Sequence, residues 1–317
     1  FIKPAAKRSN LTIITGATVD RLIFDGVTCK GIRFFGGGSS HVAHTRREVL
    51  LCAGSIGSVQ ILERSGIGQA DLLKRLQIPV VKNLPGVGEN LQDHLQIRMV
   101  YKLKGLKTLN TSANHLLGKI WIALQYIFNR SGPMSMAPSQ LGAFAHSSSA
   151  HDRPNIQYHV QPLSLDKFGD PLHTFNAFTA SVCNLRPASR GSVHINSTDV
   201  DAPPIINPNY LSAEEDRKVA IDAIKFTRKI MSASAFRVYE PHEYSPGPVY
   251  QSDEELITKA GDIGTTIFHP VGTCKMGSLE DATAVVDSEL KVIGVNGLRV
   301  VDASVMPTIT SGNTAAP

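Results

Sequence analysis

β-branched and apolar residues dominate the opening stretch of the chain at strand-like spacing. Residues 11–15 and 17–24 read as strands, and the Asp25-Gly26 turn leads into 27–35 as the second arm of a hairpin. The glycines at 36–38 turn the chain toward Val49-Leu50-Leu51-Cys52, a run apolar on both faces and therefore expected as a buried strand of a parallel sheet. Ala53-Gly54-Ser55 makes a tight turn into a helix over 58–64, and residues 79–93 read as loop, broken by Pro85-Gly86 and Gly88. Farther on, Leu116, Leu117, Ile120, Trp121, Leu124, Ile127 and Phe128 recur at helical spacing. With a Ser112 cap before them and Ser131-Gly132-Pro133 after, they predict an amphipathic helix packed on its own sheet. Strands follow at 156–160, 175–185 and 192–196, then helices over 214–231 and 253–260, an α+β order. The end of the chain returns to the earlier style with an apolar strand over 297–302, and Ser311-Gly312-Asn313-Thr314 reads as the lead-in to a helix. No long repeat period is present, which excludes a solenoid.

Composition narrows the class. With 317 residues, 42% hydrophobic and 19% charged, the chain suits one large or two medium globular domains and is not disordered. Its four cysteines include no CxxC pair, which removes zinc ribbons and thioredoxin-type redox pairs and points to a reducing compartment. The net charge of +5 is spread without a Lys/Arg block, so no nucleic-acid partner is expected. The most apolar stretch, 121–128, falls short of the roughly 20 residues that a spanning helix needs, and the opening residues do not read as a signal peptide, so neither is expected. A cytoplasmic or peripheral membrane location is expected, although no sequence feature supports membrane contact. The chain opens Phe1-Ile2-Lys3-Pro4 without an initiator Met and reads as a processed product or a fragment. GxSxG and GxxxxGK[ST] are absent, which removes the nucleophile elbow and the P-loop. His242-Glu243 lacks the second histidine of a zincin, so no metal is expected.

Two segments carry chemistry. In HPVGTCKMG, 269–277, His269 precedes a proline that holds the local backbone extended, so its imidazole is pinned. In VDASVMPTITSGNT, 301–314, a strand ends in Asp302 and Asn313 offers an amide where a helix should begin, a place that collects unpaired N–H groups and favours an anion. Taken singly, each has an ordinary reading: a histidine of the surface or core, and a turn that is only a turn. Together with AGSIGSVQILERSGIG, 53–68, and NLPGVGENLQDH, 83–94, they resemble the glucose–methanol–choline oxidoreductase family of FAD-dependent enzymes, nearest its choline-dehydrogenase and alcohol-dehydrogenase branch. The resemblance runs over essentially the whole chain.

That resemblance implies an α/β plus α+β fold, an incomplete Rossmann-like FAD-binding domain with an inserted antiparallel-sheet substrate domain. The segments expected are 1–93 for the partial FAD domain, 94–262 for the substrate domain and 263–317 for the return with the catalytic residues. It makes His269 the base that takes the proton of a substrate hydroxyl, and Asn313 the amide that hydrogen-bonds the same oxygen. Val19, Ala53, Gly54, Asp302, Ala303 and Thr314 fall at its cofactor-contacting positions. The chemistry is consistent: alcohol oxidation needs a base near oxygen and a hydride acceptor near carbon, and no side chain is such an acceptor, hence FAD. The implied reaction is oxidation of a primary alcohol, choline-like, aliphatic or aromatic, to an aldehyde, with quinone or oxygen as electron acceptor. Two rival readings stand beside it: a flavin-scaffolded enzyme like the hydroxynitrile lyases, and a non-catalytic fragment. The GxGxxG fingerprint that the family carries at its N-terminus is not in this chain, Val59 stands where Pro or Ser is usual, and Ala315 replaces the second Asn of NTN. The expectation that follows is that this polypeptide alone holds FAD poorly.

Overall fold

Gly26 adopts φ +56°, a conformation that costs a residue without Cβ little, and the chain reverses there. Ala17–Asp25 pairs antiparallel with Thr28–Gly36, which pairs with Ser39–His44. Residues 11–15, expected as a strand, form none: they lie exposed, and β-branched composition without a neighbouring strand does not make a sheet. A computed structural model provides the structure, which describes residues 2–137 and 139–315.

The chain divides into two compact units, one of residues 2–92, 190–208 and 270–308, the other of 93–189, 209–269 and 309–315. Residues 190–208, expected with the middle segment, pack in the first unit because Ser192–His194 pairs with Ile205–Asn207 and Val193 enters that unit's core. Residues 263–269 fall in the second, where Gly264–Thr266 pairs with Leu95–Lys102. Residues 309–315, expected with the return segment, also fall there.

In the first unit the fold is mixed α/β. Val49–Leu51 pairs parallel with Leu298–Val300, as the apolar run predicts. Leu51, Leu298 and Val300 join Val59 and Leu62 of the helix Gly54–Arg64 in the core. Burial on both faces does not hold, since Leu50 is 56% exposed. Parallel strands are normally covered on both faces by crossover helices, and here one face alone is packed.

The second unit is built on an antiparallel sheet in the order His242–Ser245, Leu95–Lys102, Ala177–Asn184, Ile156–Gln161, Leu141–Ala145, with Gly264–Thr266 also paired to Leu95–Lys102. Directly opposed residues in such a sheet point to the same side. The register therefore sorts the strands into two faces. One carries Ile97, Met99, Val182 and Tyr158, packed against Ala220, Ala223 and Ile224 of the helix Glu214–Met231. That helix buries a stripe at helical spacing, with acidic residues in its first turn and Arg228 and Lys229 in its last, matching the macrodipole. Burying each large aliphatic side chain there stabilises the unit by about 1.5–3 kcal/mol. The other face carries Gln96, Arg98, Gln157, His159, Gln161, Thr179 and Ser181, polar side chains within otherwise apolar strands.

The amphipathic helix forms over Leu116–Asn129, but the expected packing does not: none of its residues is buried, and Trp121 is 69% exposed. Periodicity reports an apolar stripe and not what covers it. Ser112 is not its cap; it lies inside a separate short helix, Leu109–Ala113. No helix of the described residues is long and apolar enough to cross a membrane.

Candidate active site

Asp93 is the pivot of the second unit. Its Oδ1 accepts the backbone N–H of His94 and of His269, each at 2.9 Å, and its Oδ2 accepts the hydroxyls of Tyr210 and Thr266, each at 2.5 Å. One carboxylate thus fixes two segments far apart in sequence, 93–94 and 266–269. Burial, together with the charge of Asp93, pushes the Tyr210 phenol well above its ordinary value, so it stays a donor. Just before His269, Phe268 takes φ +64°, a conformation that costs a residue with a side chain about 1–3 kcal/mol, and its N–H is held by Thr266 Oγ1 at 2.8 Å. Such strain persists where the surroundings over-determine the backbone, and here it sets the direction of the following imidazole.

His269 is 8% exposed, and its Nδ1 lies 3.0 Å from Nδ1 of His94, with the two rings edge-on at 82°. His94 is fully buried, and its Nε2 lies 3.2 Å from the carbonyl oxygen of Leu185. A carbonyl only accepts, so His94 donates from Nε2. Burial pushes His94 down to about 4, so it is neutral near pH 7 and its Nδ1 carries a lone pair. His269 must then donate from Nδ1, which leaves the lone pair of its own ring on Nε2. Burial also holds His269 below the ordinary histidine value, with the charge of Asp93 opposing the shift. The ring is therefore a neutral base of defined tautomer.

Asn313 is exposed, and its Oδ1 accepts from Gln157 Nε2 at 3.3 Å, which leaves the Nδ2 amide hydrogens available to donate. Gln157 and His159 lie on one face of the strand Ile156–Gln161. The pKa of His159 is lowered first by burial and then by the charge of His269. One strand face thus touches Asn313 at Gln157 and feels His269 at His159. Thr314, beside Asn313, is half-buried in a turn; residue 315 shares that turn, and the rest of the helix expected there lies outside the described residues.

The remaining positions belong to the first unit. Asp302 Oδ2 accepts from Gly54 N at 3.0 Å and from Ser58 Oγ at 2.6 Å, while its Oδ1 accepts from Ser304 N at 2.8 Å. An acid from the end of one parallel strand therefore sits on the N-terminus of the helix that follows the other. Ala303 accepts from Gly272 N at 3.3 Å, which ties the segment after His269-Pro270 to the same spot. Ala53, Gly54, Asp302 and Ala303 are thus gathered together. Gly54 has φ +78°, and a Cβ built on it meets nothing within 4 Å, so the turn borders open space. Val19 lies in the hairpin, half-buried against the first core.

In the sequence Asp93 and His94 stand out only as the end of the motif NLPGVGENLQDH, and Arg98, Gln157, His159 and Ser181 belong to no motif. The available signal was polar residues recurring at alternate positions inside apolar strands, 96 and 98, 157, 159 and 161, 179 and 181.

Two family profiles, both described as GMC oxidoreductase, match residues 1–96 and 187–317. An oxygen-dependent choline dehydrogenase of Pectobacterium atrosepticum is 44% identical over 313 residues, covering 99% of this chain and 56% of the relative. One from Yersinia pestis is 42% identical over 320 residues, covering 99% and 55%. The chain thus spans about half the length of the curated relatives it matches. Among solved structures, pyridoxine 4-oxidase from Mesorbium loti superposes with a TM-score of 0.83 at 29% identity, over 98% of this chain and 56% of that one. A formate oxidase from Aspergillus oryzae RIB40, in a study of FAD modification, gives a TM-score of 0.87 at 26% identity, over 96% and 58%.

Proposed function

This chain belongs to the GMC oxidoreductase family, and from that premise we propose that it forms part of an FAD-dependent enzyme that oxidises a primary alcohol to an aldehyde, with His269 as the base. The observation that carries the reading is the buried pair His94–His269 hung on Asp93. In the tautomer this pair imposes, Nε2 of His269 takes the hydroxyl proton, and the positive charge that forms on the ring is disfavoured by burial and favoured by the carboxylate of Asp93. The Asn313 amide, held at its oxygen by Gln157, donates from Nδ2 to the substrate oxygen as negative charge develops there.

The residues of the first unit fit part of the cofactor: the open space beside Gly54 lies just past the carboxyl end of the parallel strand Val49–Leu51, the kind of place where a dinucleotide lies. Ala53, Gly54 and Ala303 would hold it there, with Val19 of the same unit as a further contact. Asp302 is already satisfied by Gly54, Ser58 and Ser304, so its role is to shape the turn. Bound FAD would supply the two-electron acceptor for the carbon-bound hydride, which no side chain here supplies. Similarity to an oxygen-dependent choline dehydrogenase and to an oxidase favours oxygen over a quinone as the final acceptor.

The test is anaerobic mixing of the flavin-loaded protein, at its natural length, with primary alcohols. Alcohol-dependent bleaching of the flavin is expected, and His269→Ala should slow it by about 10²–10⁴-fold, the range of general-base contributions. A flavin that stays oxidised under every alcohol, with aldehyde released from a cyanohydrin instead, would replace the oxidase reading by the lyase one.

A further inference from the structure

Arg98 is 4% exposed, yet none of its three guanidinium nitrogens has a hydrogen-bond partner among the described residues. A planar fork of five N–H donors left unpaired inside a protein is costly, and natural structures seldom keep one without a purpose. Its neighbours in register deepen the anomaly. Ser181 lies directly opposite Arg98, and His159 directly opposite Ser181, so the three side chains form one row on the same face of three adjacent strands. Ser181 Oγ and His159 Nε2 are likewise buried without a partner. The residue opposite His159 is Gly142, and a Cβ there would meet only a backbone oxygen, at 3.5 Å, so no side chain fills that end of the row.

Arg98 lines a cavity of about 560 Å³ together with Phe168, Thr266 and Phe268, and its guanidinium stacks 4.5 Å over the ring of Phe168. Two carboxylates line the same cavity, but each is engaged elsewhere, Asp166 with His173 and Asp262 with Lys259. Both are largely exposed, so the charge buried deepest in the wall is positive. Thr266 and Phe268 flank the strained turn into His269, and the row ends at His159, which feels the charge of His269.

We propose that Arg98, with Ser181 and His159 beside it, is a recognition site for a carboxylate, and that the alcohol oxidised by this protein carries such a group on an aromatic or other apolar body. The second half of this statement rests on the function proposed above; the first does not. Arg98 offers two parallel N–H bonds of the geometry that fits a carboxylate, Ser181 adds a hydroxyl donor, and Phe168 and Phe268, with centroids 6.0 Å apart, give the apolar body a surface. A quaternary ammonium such as choline would instead bring a second positive charge to a buried, unpaired one.

The experiment has a binding arm and a turnover arm. In the first, benzoate and choline are titrated against wild type, Arg98→Met and Ser181→Ala, read by calorimetry and by thermal unfolding. Benzoate should bind and stabilise wild type, choline should not, and Arg98→Met should lose roughly 10- to 100-fold in benzoate affinity, the worth of hydrogen bonds to a charged group. Arg98→Met without ligand should unfold at a higher temperature than wild type, since an unpaired buried charge has been removed; Ser181→Ala keeps the charge and should weaken benzoate by a smaller factor. Equal benzoate binding by wild type and Arg98→Met, or choline binding in place of benzoate, overturns the site. If Arg98→Met does not fold, unchanged benzoate affinity in Ser181→Ala does the same. In the second arm the flavin-loaded protein is given 4-(hydroxymethyl)benzoate and benzyl alcohol, and the preference for the acid should collapse in Arg98→Met. Benzoate binding as expected with neither alcohol oxidised would leave the carboxylate site standing and remove the catalytic reading.

Discussion

Replacing His94 by Leu removes the acceptor of the His269 Nδ1–H bond, at 3.0 Å, and the edge-on partner of its ring, while filling the fully buried site with apolar atoms. One hydrogen bond of this kind contributes about 0.5–1.5 kcal/mol net, so its loss moves the tautomer balance of His269 by roughly 2- to 13-fold. Loss of ring orientation adds to that. We expect kcat/KM for the alcohol to fall by about 10- to 100-fold, less than removal of the base itself, with kcat carrying most of the change. His94→Asn keeps an acceptor near the Nδ1 position and should recover most of the activity. The tautomer is read directly by ¹⁵N-histidine NMR, in which wild-type His269 should show a protonated Nδ1 and an unprotonated Nε2. The same tautomer and the same kcat/KM in folded His94→Leu would refute the reasoning, because a merely structural histidine would leave both unmoved.

Two further outcomes follow from burial and charge. His94 is held at about 4 in the folded state against 6.5 ordinarily, so the unfolded chain binds the proton first and stability falls as pH drops from 6.5 toward about 4; the share of His94 is on the order of 3 kcal/mol, and urea unfolding across that window should fall more steeply in wild type than in His94→Asn, where His269 and His159, also lowered by burial, remain to titrate this way. Arg228 grips Glu243 through Nε at 2.9 Å and a second nitrogen at 2.8 Å, with Glu243 9% exposed; Arg228→Met leaves that carboxylate charged, with the Gly247 N–H at 3.1 Å but without its counter-charge, and should lower unfolding free energy by up to about 3–5 kcal/mol, whereas an unchanged urea midpoint would show the pair to be idle.

Much of the local architecture was legible in the order of residues. The Asp25-Gly26 hairpin, the helix Glu214–Met231 and the strand at Val49–Leu51 each follow from local chemistry: a residue tolerant of positive φ, a 3.6-residue stripe, and a short apolar run, whose parallel partner Leu298–Val300 comes from the other end of the chain. His269 and Asn313 were also marked, since motif spacing survives as a string. What the string did not carry is who stands beside whom. Residues 11–15 have strand composition and no strand, and the Trp121 helix has a stripe and no buried residue, because pairing and burial are supplied by partners remote in sequence.

The sequence by itself determined the family, most of the element types and a histidine pinned before a proline, all consequences of covalent neighbours and short-range periodicity. Tertiary structure alone decided that Asp93 holds two distant segments, that His94 dictates which nitrogen of His269 is basic, and that Arg98, Ser181 and His159 form one unpaired row. Strand register across separate stretches of chain creates those juxtapositions, and a one-residue slip in any of the three strands would turn its polar side chains to the opposite face.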